Sequence, residues 1–292
     1  MAVLVNYFKS LRVKQWIKNL FIFAPMIFSM NFTNINYLIN SIIAFFLFSI
    51  VAGNIYVLND CIDKKNDINH PKKKFRPIAS GKISVPAALV LSSIVQVLAL
   101  TVIFVFNSGF FLIASIYIAV NISYSAFLKK IAIFDVMIIA IGFVLRVMIG
   151  GEVNDIFLSP WIFIITFLLA LFLGLVKRRQ ELSGNVKNLT KNTRKSLENY
   201  NLPLLDQLIS ITTSATLISY ITYVLNPEIQ KYFKTKYLYL TVPFVIFGIF
   251  RYLYLTYIKE KGENPEDIIY TDIPFILNIA LWLLVFILLI YF

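Results

Sequence analysis

The stretch Asn59-Asp60-Cys61-Ile62-Asp63-Lys64-Lys65-Asn66-Asp67 holds the residues best suited to chemistry in this chain. Continued as a helix, it puts Asp60, Asp63 and Asp67 at i, i+3 and i+7, on one face. Asn59 lies one turn before Asp63 on the neighbouring stripe. Three carboxylates so crowded repel one another, and a bound cation relieves that repulsion. Oxygen ligands without His or Cys select Mg²⁺, with Mn²⁺ as its alternative, and such ions commonly bridge carboxylates to a diphosphate. Asn59, Asp60, Asp63 and Asp67 are therefore candidate metal ligands. The competing description is a solvated acidic helix end balanced by nearby lysines. The metal is favoured because the aspartates open directly off an apolar run and a basic run follows.

That basic run is His70-Pro71-Lys72-Lys73-Lys74-Phe75-Arg76-Pro77. Alone it would be a juxtamembrane patch against anionic lipid heads. Beside a metal site it has the chemistry of a phosphate binder, Arg giving forked contacts and Lys a point charge. His70 fits a loop hydrogen-bonding role better than that of a ligand. The single cysteine, Cys61, excludes an internal disulfide, and no CxxC or Cys/His set offers a zinc site.

The elements that must position these groups are apolar. The chain is 59% hydrophobic and 14% charged, with a mean hydropathy of +0.78, against about 25% charged in soluble domains. Apolar stretches fall near 17–32, 37–57, 86–106, 109–128, 132–151, 160–177, 206–226, 236–257 and 272–292. Each approaches the roughly 20 residues that cross a hydrocarbon core. The first, short and broken by Pro25, also resembles a signal peptide after Arg12, Lys14 and Lys18. It lacks a small-x-small cleavage site, and a second span begins almost at once. The expected fold is thus all-α, one polytopic membrane domain over 1–292 with about nine transmembrane helices. Two long connections, about 60–85 and 178–205, are expected to carry function.

A net charge of +12 would suggest nucleic acid in a soluble protein. Here it describes topology. Of the 27 lysines and arginines, 22 fall in the N-terminal segment or in the loops after the second, fourth, sixth and eighth spans. The N-terminus and those loops are therefore expected in the cytoplasm of a cell-membrane protein, with the C-terminus outside. Arg146 and Arg251 lie inside spans, where a charge normally faces a cavity or a partner. Glu152 is a candidate partner for Arg146, which lies about 16 Å along the helix from Asp135. Arg251 is also placed to snorkel. Glu181, one turn after Lys177, is placed to orient it, and Asp135 to complement a helix N-terminus.

With these residues in view, the sequence resembles the UbiA prenyltransferase superfamily. Its first acidic motif appears as N-D-x-x-D-x-x-x-D at Asn59, Asp60, Asp63 and Asp67. The resemblance implies a nine-helix bundle with a cavity open to the cytoplasm and laterally to lipid. It departs where a second acidic motif is usual, at Leu175-Val176-Lys177-Arg178-Arg179-Gln180-Glu181-Leu182, because cations replace most of the acids. That variant is similar to the decaprenyl-phosphate phosphoribosyltransferase branch. The likeness runs through Arg12-Val13-Lys14-Gln15-Trp16-Ile17-Lys18-Asn19, His70-Pro71, Arg76-Pro77-Ile78-Ala79-Ser80-Gly81 and Tyr124-Ser125. It continues with Lys129, Asp135, Gly142-Phe143, Arg146, Lys177-Arg178, Glu181, Tyr200, Phe250-Arg251-Tyr252 and Pro265-Glu266-Asp267.

The resemblance implies a Mg²⁺-dependent enzyme of cell-wall biosynthesis. It would move 5-phosphoribose from phosphoribosyl diphosphate to a polyprenyl phosphate of decaprenyl type and release diphosphate. Asn59, Asp60, Asp63 and Asp67 would hold the metal. Lys73, Arg76, Lys177 and Arg178 would contact phosphate, with Lys18, Tyr124, Lys129, Arg146, Glu181, Tyr200 and Arg251 around the substrates. Two alternatives stay open: an aromatic prenyltransferase of quinone or haem biosynthesis, disfavoured by the lost second motif, and a lipid transporter, disfavoured by the absence of an internal repeat. Nucleic acid is not an expected partner, and a homo-oligomer stays open.

Overall fold

The computed structural model describes residues 2–31, 33–69, 73–188, 195–259, 268 and 271–291. Among them every regular element is helical. His70, Pro71, Lys72, Lys191, Arg194, Lys261 and Pro265-Glu266-Asp267 lie outside the described residues. Among the described residues, eight helices are long and apolar enough to cross a membrane, which agrees with the expected multi-pass, all-α class.

Contacts group the chain into two compact units, residues 1–158 and 159–292. The first begins with α1 (Ala2–Ser10) and a 3-10 segment, Val13–Phe23, that runs into α2 (Ala24–Phe28). It continues with α3 (Ile35–Ile68), α4 (Val85–Phe106), α5 (Ser108–Ala126) and α6 (Phe134–Glu152). The second holds α7 (Pro160–Asn188), α8 (Leu202–Leu225), α9 (Pro227–Tyr232), α10 (Val242–Tyr257) and α11 (Ile273–Tyr291).

Several helix starts follow from local chemistry. The side chains of Asn34, Ser84, Asn107 and Asn201 accept from backbone N–H groups in the first turns of α3, α4, α5 and α8. Such caps satisfy donors that a helix leaves open. Pro86 and Pro203 enter where a missing N–H costs nothing.

The expected span at 17–32 takes a different form. Arg12 adopts a left-handed conformation, φ 52° and ψ 58°, and an 11-residue 3-10 helix follows it. A 3-10 helix rises about 2.0 Å per residue against about 1.5 Å for an α-helix, so Val13–Phe28 reaches about 30 Å with few residues. Its Ile22, fully buried, packs with Phe48, Phe110, Ile103 and Ile149 in the core of the first unit.

Two expected loops begin later than the sequence suggested, because their flanking helices continue. α3 runs through Asp67 to Ile68, and α7 runs past Arg178 to Asn188. With 34 residues, α3 is about 51 Å long, about 20 Å more than a hydrocarbon core requires. The aspartates stand on that extension.

Candidate active site

α3 carries Asp60, Asp63 and Asp67 on consecutive turns, and each carboxylate meets a cation of this chain. Asp60, buried with 3% of its side chain exposed, accepts from Arg12 and, at 3.0 Å, from Arg76 Nη1. The same Arg76 nitrogen donates to Asp67 Oδ2 at 2.6 Å. Lys129 Nζ donates to Asp63 Oδ1 at 2.7 Å. Asn59 Oδ1 accepts from the Ser125 hydroxyl of α5. The repulsion foreseen from the spacing is real, and the protein's own arginines and lysine relieve it.

Each cation arrives by a distinct route. Arg12 lies between α1 and the 3-10 segment, with its guanidinium 5.0 Å from the Tyr56 ring, one turn before Asp60. Arg76 follows the short 3-10 turn Lys73–Phe75; its N–H donates to Lys73 O, and its carbonyl accepts from Ser80 N–H. Lys129 sits in the turn Leu128–Lys130 between α5 and α6. Ile133, at φ 71°, turns the chain into α6; a β-branched residue there is strained.

Arg146 is the second cluster of the unit. It is 4% exposed, and Glu152, the candidate partner from sequence, is not what it binds. Arg146 Nε donates to Asn19 Oδ1 at 2.8 Å, Nη1 to Gly142 O at 2.6 Å and Nη2 to Tyr117 OH at 3.2 Å. The rings of Phe48, Tyr117 and Phe143 lie 5.2–5.3 Å from its guanidinium. Asn19 in turn donates to Ser49 of α3. Arg146 therefore ties the 3-10 segment to α5 and α6, and that segment delivers Arg12. Lys18 on the same segment donates to Gln15 at 2.5 Å.

In the second unit, Arg178 is 1% exposed and donates to Glu181 Oε2 at 2.6 Å. Glu181 thus holds Arg178, the neighbour of the Lys177 that the sequence places one turn before it. Lys177 stands beside it on α7, and Tyr200 is buried at 6% exposure before α8. Arg251 binds Asp272 with a two-point fork, Nε at 3.1 Å and Nη2 at 2.9 Å, so it has a carboxylate partner that the sequence did not suggest. Arg179 and the Tyr257 hydroxyl share Asp206, Arg179 stacking on the Tyr257 ring at 3.7 Å.

Residues 20–270 match the UbiA prenyltransferase family. The chain belongs to that family. It is similar to decaprenyl-phosphate phosphoribosyltransferases: 32% identical to that of Mycolicibacterium smegmatis over 73% of this chain and 68% of the relative. With that of Mycobacterium tuberculosis it shares 28% identity over 90% of this chain and 87% of the relative. The fold is that of a UbiA homolog from Archaeoglobus fulgidus bound to DMAPP and Mg²⁺, with a TM-score of 0.72 at 19% identity over 98% of this chain and 99% of the other. The resemblance seen in the acidic motif is thereby established, and with it a membrane-embedded transferase.

The UbiA family implies a divalent metal, and the residues here fit one of a particular kind. Among the described residues no set of three or more His, Cys, Asp or Glu side chains is arranged to hold an ion. A cage made wholly of protein therefore does not fit. Mg²⁺, however, commonly keeps several waters and takes only one or two carboxylates plus substrate phosphates. Asp60 and Asp67 supply two, and they already bracket one cationic atom, Arg76 Nη1. Asp63 and Asn59, the other expected ligands, point to Lys129 and Ser125.

Sequence reasoning named Lys129 and Arg76 but gave Arg12 no part in the site. Arg12 lies 48 positions from Asp60, and no local spacing signals such a pair. Asp272 was missed likewise.

Proposed function

We propose that this UbiA-family protein transfers 5-phosphoribose from phosphoribosyl diphosphate to a polyprenyl phosphate of decaprenyl type, with Mg²⁺, and releases diphosphate. The observation that carries the proposal is the acidic face of α3, where Asp60 and Asp67 bracket one cation and Arg12 and Lys129 stand beside them. That chemistry suits a metal-bound diphosphate. The names of the relatives support a phosphoribosyl group as the group transferred and decaprenyl phosphate as its acceptor.

In this reading Asp60 and Asp67 hold the metal, which when bound neutralises the departing diphosphate. Arg12, Arg76 and Lys129, with Lys73 on the adjoining turn, supply positive charge where negative charge accumulates. The C1–O bond to diphosphate breaks as a lipid phosphate oxygen bonds to C1 from the opposite side, with inversion. The lipid phosphate is ionised near neutral pH and needs no general base. Lys177 and Arg178 on α7 are proposed phosphate binders, and Lys18, Tyr124, Arg146, Glu181, Tyr200 and Arg251 are proposed to contact the substrates or brace the residues that do. The distribution of lysine and arginine supports a cytoplasmic N-terminus and active site.

Membranes containing the protein, given labelled phosphoribosyl diphosphate and decaprenyl phosphate, are expected to form a labelled lipid only with divalent metal. Labelling from a prenyl diphosphate and an aromatic acceptor instead would replace this proposal with the aromatic prenyltransferase.

A further inference from the structure

We infer that Arg76 is a resident counter-ion in the metal position, and that it makes metal uptake by this site conditional on diphosphate. The inference rests on the metal role of Asp60 and Asp67 given above. One nitrogen, Arg76 Nη1, lies 3.0 Å from Asp60 Oδ1 and 2.6 Å from Asp67 Oδ2. A metal ligated by both carboxylates needs the place which that nitrogen fills, so the two cations exclude each other.

Arg12 and Arg76 both pair with Asp60 Oδ1, but they are held differently. Arg12 is fixed by its left-handed backbone and by the Tyr56 ring below its guanidinium. Arg76 stands on a turn whose backbone hydrogen bonds close on the turn itself and whose Ile78 packs with Val57 of α3, so its side chain can swing from the acidic face while the turn stays anchored. Water and anions reach both arginines, 28% and 26% exposed, but it is Arg76 Nη1 that sits between two carboxylates, where a metal held by both would compete with it. Arg76 is therefore the cation that can leave.

Charge decides when it leaves. Asp60, Asp63 and Asp67 carry three negative charges, and Arg12, Arg76 and Lys129 carry three positive ones. A divalent ion entering alone would meet a neutral face, with a guanidinium in its seat. A diphosphate changes both conditions. It offers Arg76 a two-point anionic acceptor in exchange for the carboxylates, and it adds the negative charge that a metal and a released guanidinium require. Metal and diphosphate then strengthen each other's binding reciprocally.

The test is protein-bound Mn²⁺, measured by equilibrium dialysis of the full chain in detergent with metal analysis of the retained fraction. Mn²⁺ is given alone or with inorganic diphosphate. In the unmodified protein diphosphate is expected to tighten Mn²⁺ retention by at least about tenfold, within the 5–150-fold range usual for coupled sites. Arg76→Gln is expected to bind Mn²⁺ alone about tenfold tighter than the unmodified protein and to lose most of the coupling. Arg76→Lys, which keeps a cation near the carboxylates, is expected to stay closer to the unmodified protein than to Arg76→Gln.

Unmodified protein that binds Mn²⁺ equally well with and without diphosphate overturns the inference, with no variant needed. So does an Arg76→Gln protein whose affinity for Mn²⁺ alone is unchanged, although the metal reading then survives through diphosphate-dependent retention. If no protein retains Mn²⁺ under either condition, the metal reading itself fails and the inference falls with it.

Discussion

Gly150 of α6 gives a steric test of how Arg12 reaches Asp60. A methyl group added there would lie 1.9 Å from the carbonyl oxygen of Ile22 and 2.8 Å from its carbonyl carbon. Ordinary contact starts at 3.4 Å, so Gly150→Ala requires the 3-10 segment to retreat by 1.5 Å. Overpacking a tight interior costs about 1–3 kcal/mol, and a backbone neighbour cannot rotate away, which puts this site near the top of that range. Alanine recovers about 1 kcal/mol of helix propensity. The net loss is then about 2 kcal/mol, or about 4–8 °C in denaturation midpoint for a unit of this size.

Gly109→Ala is the matched control. Its added methyl also lies 1.9 Å from an atom, Glu152 Oε1. That atom ends a flexible, exposed side chain, which swings aside at little cost, so no loss of stability is expected. Tryptophan fluorescence on heating in detergent would read both variants, beside turnover of labelled phosphoribosyl diphosphate. Because the displaced segment begins at Arg12, Gly150→Ala is also expected to lose turnover well below its denaturation midpoint. A Gly150→Ala protein as stable and as active as Gly109→Ala would refute the coupling of α6 to the acidic face.

Asp60→Asn and Asp67→Asn are each expected to lower metal-dependent turnover by about a hundredfold or more, whereas Asp63→Asn, whose carboxylate meets Lys129 instead, should cost about tenfold; initial rates against metal concentration separate the two classes. At Arg146, Lys is expected to destabilise more than Met, since Lys keeps the buried charge and loses the fork, with about 1.5–3 kcal/mol at stake for each charge-assisted bond lost; thermal midpoints in the opposite order would refute this. Burial pushes the Tyr7 phenol up to about 12, with a hydrogen bond from Ser92 opposing it. A phenol that holds its proton more tightly when folded stabilises the protein fully below about pH 10 and progressively less up to about pH 12, so Tyr7→Phe should flatten the alkaline fall in denaturation midpoint over that window.

Much of this was legible in the sequence because a membrane simplifies the code. Apolar length alone marks a span, and the expected 86–106, 109–128 and 132–151 fall within a few residues of α4, α5 and α6. The i, i+3, i+7 aspartates likewise needed only helical geometry. Hydropathy failed where polar residues continue a helix beyond the bilayer, as at Asp60–Ile68 of α3 and Lys177–Asn188 of α7. It also misjudged Val13–Phe23, where a 3-10 backbone covers the distance with fewer residues. Ion partners were least legible. Arg12 with Asp60, Lys129 with Asp63 and Arg251 with Asp272 are brought together by chain reversals, whereas Arg178 with Glu181 lies within one helical turn.

The first unit balances its charges in two contrasting ways, and the contrast says where its chemistry belongs. Arg146 has neutral acceptors and three aromatic faces, and among the described residues no carboxylate pairs with it. None of those partners carries a charge that a ligand could replace, and at 4% exposure the guanidinium is locked in place. The acidic face of α3 is balanced by ions whose side chains are 20–28% exposed, on a helix extension that outreaches the hydrocarbon core. Of these, Arg76 is the one proposed to exchange its carboxylates for phosphate oxygens as a metal enters, so that no buried charge is left bare. A transferase that must bring two anionic substrates together needs exchangeable charge at the reacting centre and fixed charge in the scaffold that aims it. In the proposed reaction Arg146, through Asn19, belongs to the scaffold, and Asp60, Asp67 and Arg76 belong to the centre.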